Sequence, residues 1–243
     1  MSVIGGIASY APCVTVVPTI IRRGRADKAG PKHAAPTPHR RLLLREVAIL
    51  VVLAVAAAML VRAFVLQTFY IPSGSMEHTL NINDRVLVNK LVYDFRAPKR
   101  GEVIVFHSPV SWRTSPNEDD FIKRVIGVGG DHVVCCDSRG RLMINGVALS
   151  EPYLDHDGGV ALPASPDRFD IVVPPGRLWV MGDNRFFSGD SREQYAETGD
   201  IDASTIPVKS VIGRAIVLFW PLGRVGWFSV PASDARIPAP GGR

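Results

Sequence analysis

The sequence is poor in cysteine and lysine and carries no recognisable metal-ligand spacing. Three Cys stand among 243 residues: Cys13, Cys135 and Cys136. No CxxC pair is present, which excludes zinc-knuckle and dithiol-redox signatures. Cys135 and Cys136 are adjacent, so they can join to each other only as a vicinal disulfide. Two free thiols or an intermolecular link are equally open. The six His occur singly and none belongs to an HExxH motif, so neither a metal nor another cofactor is expected. Long apolar runs are also scarce, and the chain has one.

The net charge of +5 and pI near 9.3 suggest nucleic acid until the charges are located. Residues 1–46 hold eight Lys/Arg against Asp27 and Glu46, whereas from residue 63 onward 19 Lys/Arg face 21 Asp/Glu. The basicity belongs to the tail, and no nucleic-acid partner is expected. The apolar run begins where the tail ends. Val47–Val61 carries no charge and, after Arg62, Ala63–Leu66 extends it, giving about 20 apolar positions, enough to cross a bilayer core of roughly 30 Å. A Lys/Arg cluster on one flank only places residues 22–46 in the cytoplasm and the chain after residue 67 outside. The expected organisation is a basic, largely disordered cytoplasmic segment (1–46), a transmembrane helix (47–66), an extracytoplasmic domain (67–230) and a disordered tail (231–243).

The outer domain reads as strand. Arg85–Lys90, Glu102–Phe106, Phe121–Val128, Ile171–Val173, Leu178–Met181 and Val211–Phe219 are short and rich in β-branched residues. Asn145-Gly146 within Leu142–Leu149 marks a hairpin. Gly/Pro turns separate these runs and no amphipathic helix is evident. The fold class is therefore all-β, a mainly antiparallel barrel or sandwich, with one N-terminal transmembrane helix. Trp220, Trp227 and Phe228 are expected in the core or at a strand edge, in preference to a membrane surface.

Directly after the apolar run comes IPSGSMEHTL, Ile71–Leu80. Two serines flank a glycine behind a proline, which holds a small nucleophile on a tight turn at the membrane surface. If Ser75 attacks, a base must take its proton. His78 is only three residues away on the same turn, and His156 sits in a polar loop; His107 and His132, at strand ends, remain open. Of the six lysines, Lys28 and Lys32 fall on the wrong side of the membrane, and Lys99 and Lys209 lie in polar connections. Lys123 stands among Phe121, Ile122, Val125 and Ile126, a setting that desolvates an ammonium and lowers its pKa toward a useful value. Lys123 is the first choice of base and Lys90 the second. A further polar patch, Met181–Arg192, has the material to support a site.

From residue 42 to about 228 the chain closely resembles the bacterial type I signal peptidases of the single-helix form. The anchor, IPSGSM, DRVLVNKLVY at Asp84–Tyr93, RGEVIVF at Arg100–Phe106, KRVIGVGGD at Lys123–Asp131 and GDNRFFSGDSR at Gly182–Arg192 follow in that family's order. The resemblance implies Ser75 as nucleophile, Lys123 as general base and Ser73 as an oxyanion donor beside the backbone N–H of Ser75. It further implies that Ser188 orients the lysine, that Asp190 and Arg192 form a supporting charged pair, and that Gly182 and Asp183 shape the wall. Two positions depart from the pattern: His78 and Gly129 stand where the family usually has proline. The expected activity is cleavage of signal peptides from exported preproteins after small residues, with those preproteins and the lipid bilayer as partners. Two rivals are a Ser-Lys protease specialised for one precursor class and a non-catalytic membrane-anchored β-domain that binds partners.

Overall fold

The computed structural model describes residues 38–115, 118–154, 156–157, 160–161 and 163–241. The basic segment up to residue 37, with Cys13, lies outside them. The chain divides into two compact units, Met1–Ile49 and Leu50–Arg243. In the first, the described residues are the opening of helix α1, Pro38–Phe64. Residues 38–46, expected in a disordered tail, are thus helical; Pro38 suits a first helical turn and the Ala/Leu/Val run propagates it. Leu42–Arg62 has a mean hydropathy of 2.4 and none of its most apolar window is buried, which separates it from the core helix of a soluble protein.

The second unit continues α1 and then switches period within two residues. Strand β1 (Leu66–Tyr70) is followed by β2 (Arg85–Asn89), β3 (Val103–His107) and β4 (Asp120–Val128). Next come β5 (His132–Cys135), β6 (Met143–Ile144), β7 (Val147–Ala148), β8 (His156–Asp157), β9 (Val160–Ala161) and β10 (Phe169–Val172). The last are β11 (Arg177–Met181), β12 (Ile206–Pro207), β13 (Val211–Trp220) and β14 (Gly226–Trp227). The main sheet runs β1-β2-β13-β3-β4-β11-β12 with β14 on β13, and a second runs β10-β5-β6-β7. Every pairing is antiparallel. Register shifts along β13 bend the main sheet as bulges do. Asn145 and Gly146 take positive φ and join β6 to β7, as their sequence predicts.

Ile71, Met76 and Leu80, each at most 1% exposed, sink into a core with Val86, Val88, Val103 and Val105. Burying each such side chain contributes about 1.5–3 kcal/mol, so the Ser75 turn is bolted down on both sides.

Several expectations need correction. Strands β1, β5, β8, β9, β12 and β14 were not anticipated; β1, β12 and β14 are short strands flanking the main sheet, and β8 and β9 pair only with each other. Helix α2 (Val92–Phe95) is a single turn, but α3 (Ser191–Thr198) is a real helix where no amphipathic helix was evident. Asp190 caps its N-terminus by accepting from the Arg192 N–H, and Gly199 ends it in the left-handed region. The tail after Pro231 is packed: Ile237 enters a core with Ile126, Val133 and Trp179. Arg100 and Asn145 donate to the Pro238 carbonyl there. Trp220 ends β13 and Trp227 lies on the short strand β14, 49% and 79% exposed, and Phe228 packs against the core, as the core-or-strand-edge expectation has it. Lys90 lies just past the end of β2. Cys135 and Cys136 are joined as a vicinal disulfide.

Candidate active site

Ser75 sits on a 3₁₀ turn, Gly74–Met76, entered through an extended Ser73. The Ser73 hydroxyl is not used as a cap; its Oγ lies 3.5 Å from Ser75 Oγ. Strand β4 brings Lys123 to the same point, 48 positions away in sequence, and its Nζ donates to Ser75 Oγ at 2.6 Å. Ser75 is 7% exposed and Lys123 4%. Burial lowers the Lys123 ammonium to about 8; Asp190 and Asp183 oppose that shift and Arg192 reinforces it. The ring of Phe121 lies 5.5 Å from Nζ, so part of the dry surroundings comes from the same strand.

Two of the candidate histidines are engaged elsewhere. His107 pairs with Asp120 at 2.8 Å and His132 with Asp170 at 2.5 Å, both on the surface. The side chain of His156 lies outside the described residues. His78 lines a cavity with Leu154, Pro163 and the Asp183–Phe186 segment. Its φ is +76°, in the left-handed region, whereas proline is fixed near −65°. The turn here is a different turn from one built on proline, which accounts for the first departure. At Gly129 a Cβ would come within 3.1 Å of the Pro174–Gly176 backbone, so the second departure permits a close approach of two turns.

A shell of paired charges surrounds the two residues. Asp190, wholly buried, accepts from the Gly182 N–H (2.9 Å) and from Arg192 Nη2 (2.7 Å). Its burial would raise its pKa, but Arg192, the Gly182 N–H and Lys123 outweigh that and hold the carboxyl low. Asp183 takes a two-pronged ion pair from Arg124, at 2.8 and 2.6 Å, and accepts from Thr79 Oγ1 at 2.5 Å. Arg124 in turn lies 3.8 Å over the ring of Tyr153. Gly182 is a close approach: a Cβ there would stand 2.3 Å from the Ser75 carbonyl oxygen and 2.2 Å from Ser188 Oγ. Ser188 Oγ is buried with no hydrogen-bond partner among the described residues, and no bond joins it to Lys123.

All eight residues singled out from the sequence fall into this one region. Sequence reasoning missed Arg124, Thr79 and Asn184. Asn184 donates from its backbone to the Ser75 carbonyl (3.1 Å) and from Nδ2 to Gly74 O (3.1 Å) and Glu77 Oε2 (3.2 Å). The available signal was a second cation inside an apolar strand at Arg124 and an amide beside Asp183.

A β-domain that presents a buried serine bonded to a desolvated lysine, behind an exposed apolar helix, is the architecture of a membrane-anchored serine hydrolase. The family model "Signal peptidase, peptidase S26" matches residues 44–220. Signal peptidase I of Mycobacterium tuberculosis (strain ATCC 25618 / H37Rv) is 39% identical over 242 residues, covering 83% of this chain and 82% of the relative. The probable signal peptidase I of Mycobacterium leprae is 38% identical over 233 residues, covering 78% and 80%. A crystal structure of a signal peptidase I from Enterococcus faecalis V583 is 30% identical, covers 49% of this chain and 97% of that one, and has a TM-score of 0.37. The chain belongs to the S26 signal peptidases and is a serine peptidase.

Proposed function

We propose that this protein removes signal peptides from exported preproteins, with Ser75 as nucleophile and Lys123 as general base. One observation carries the assignment: a lysine nine-tenths buried, held near pKa 8, donating to the serine hydroxyl at 2.6 Å. In its neutral form Lys123 takes the Ser75 proton as Oγ bonds to the scissile carbonyl carbon. Ser73 Oγ and the Ser75 N–H, which belongs to the 3₁₀ turn, stabilise the oxyanion; one such donor is worth about 10²–10³ in rate. Lys123 then protonates the leaving amine as the C–N bond breaks. It next takes a proton from the water that hydrolyses the acyl-enzyme, restoring Ser75.

The substrate binds as an added strand on β4, with small residues at −1 and −3 filling shallow apolar pockets. Asp190, Arg192 and Asp183 hold the lysine and the wall in place. Gly182 keeps the loop against the nucleophile turn, and Ser188 is the hydroxyl available to orient the lysine once substrate is bound. Residues 22–46 face the cytoplasm and the β-domain lies outside, where α1 delivers the site to the bilayer face at which a signal helix ends. Exposed Trp220 and Trp227 suit that lipid–water boundary.

The test is cleavage of a preprotein in detergent by Ser75→Ala and Lys123→Ala enzymes, both of which should fail. Activity surviving Lys123→Ala would overturn the dyad. Protease protection on sealed membranes checks the orientation, since an exposed β-domain on the cytoplasmic side would reverse it.

A further inference from the structure

Next to Lys123 on β4 stands a second buried cation, Arg124, and its partners form a closed circuit behind the segment that faces Ser75. Arg124 clamps Asp183 and donates from Nη1 to the Gly101 carbonyl at 2.8 Å. Its guanidinium lies 3.8 Å over the ring of Tyr153. The Tyr153 hydroxyl donates to Glu151 Oε1 at 2.9 Å, and Glu151 pairs with Arg185. Arg185 Nε closes the circuit by donating to the Gly182 carbonyl at 3.0 Å, one residue before Asp183. Tyr153 is therefore tied back to the same two residues that it braces through Arg124.

The circuit is dry and its charges are matched. The side chains of Arg124, Asp183, Glu151 and Arg185 are each at most 4% exposed. Burial raises the Tyr153 phenol well above its ordinary pKa and Glu151 adds to the rise, so the hydroxyl stays a donor. A guanidinium on an aromatic face counts for more in such a place than on the surface. Asp183 passes the restraint onward: it accepts from Thr79 Oγ1, and its N–H meets Met76 Sδ at 3.4 Å. A tilt of Arg124 thus reaches the turn that carries the nucleophile.

We propose that Tyr153 is a positioning residue for cleavage, its ring being the platform that aims Arg124 at Asp183 and so fixes the Ser75 turn against Lys123. The inference rests on the reading that Ser75 and Lys123 are the reacting pair. Tyr153 touches neither of them, so its loss acts on alignment and shows in kcat, with KM held within about twofold. Tyr153→Leu removes the ring face and should lower kcat about tenfold. Tyr153→Phe keeps the face, loses the bond to Glu151, and should lower kcat about threefold.

The experiment is a double-mutant cycle with Thr79→Val, read as kcat of full-length enzyme in detergent at a temperature where each variant is folded. Thr79→Val should itself lower kcat, and in its presence the Tyr153 substitutions should cost little more, because both act through Asp183. Effects that multiply overturn the inference. So does a Thr79→Val enzyme with wild-type kcat, or a Tyr153→Leu enzyme that melts lower yet turns over as wild type does when folded. Where Tyr153→Leu does not fold, Tyr153→Phe decides: a loss that disappears beside Thr79→Val supports the inference, and an unchanged kcat overturns it. Any of these failures with cleavage still abolished by Ser75→Ala leaves the peptidase reading standing. Cleavage that survives Ser75→Ala overturns both.

Discussion

Lys123 and Ser75 come from a strand and a 3₁₀ turn 48 positions apart, and they meet at 2.6 Å with both side chains withdrawn from solvent. Proximity alone would leave the lysine protonated and useless as a base at neutral pH. Desolvation brings it to about 8, so roughly a tenth of the molecules carry the neutral amine at pH 7.

That value sets a pH profile. With Lys123 as the proposed base, the active form is the deprotonated lysine, so kcat/KM should rise about tenfold per pH unit below 8 and level off above it. Peptide cleavage in detergent between pH 6 and 10 measures this. An acid limb centred near 6.5 would point to a histidine base.

The same desolvation has a stability consequence of opposite sense. The folded value of about 8 lies below the unfolded 10.5, so between those pH values the unfolded chain binds more protons and stability rises with pH. Below pH 8 the penalty is fully present, about 3 kcal/mol at 1.36 kcal/mol per unit. Lys123→Met removes the charge at similar volume and forfeits the bond to Ser75, worth about 1 kcal/mol. The inactive variant should therefore be more stable than wild type by about 2 kcal/mol at pH 6–7. Thermal or denaturant unfolding checks this, and the gap should close as pH approaches 10.5.

Legibility in the sequence followed the range of the physics involved. Long alternating strands such as β2, β4 and β13, and the Asn145-Gly146 hairpin, are written in local pattern and were readable. Lys123 was readable because its apolar neighbours on β4 are also its environment. Helix α3 was not, since eight residues with little amphipathicity leave only Asp190 and Gly199 as signals. The packed tail is held by buried side chains such as Ile237, whose core partners lie far away in sequence. The Arg124–Asp183–Thr79 cluster depends on cross-strand register, which spacing does not encode. His78 could be flagged as unusual but not explained until its backbone angle was known.

Gly182 is required by contact distance. A methyl group there meets Ser75 O at 2.3 Å and Ser188 at 2.6 Å or less, and neither can yield without moving the nucleophile turn. Gly182→Ala should lower kcat/KM by at least about 10²-fold, as expected when reacting groups shift by about 1 Å. Gly223→Ala, where nothing lies within 4 Å, is the control and should leave activity unchanged.

Asp234 is buried against Gly101 with one carboxylate oxygen unpaired among the described residues. Burial raises it to about 6, Glu151 adds to the rise, and Arg124 and Arg100 oppose it. A carboxylate raised in the folded state is penalised when ionised, so the tail's docking weakens as pH climbs through 6. Asp234→Asn should raise the melting temperature at pH 8, with the advantage fading toward pH 4. An advantage independent of pH would show that lost charge is not its cause.

The turn after the nucleophile offers the sharpest contrast with the family pattern. Proline is the residue the resemblance expects at 78, yet φ there is +76° and the ring fixes φ near −65°. Restoring it by His78→Pro would force the turn to rebuild between Ser75 and Thr79, which donates to Asp183. We expect His78→Pro to lower kcat/KM by about tenfold or more and to reduce the melting temperature. His78→Asn, a residue that tolerates the left-handed region, should retain activity within about threefold. Equal activity of the Pro and Asn enzymes would mean that this turn is free to interconvert and that the backbone at His78 does not set the nucleophile's position.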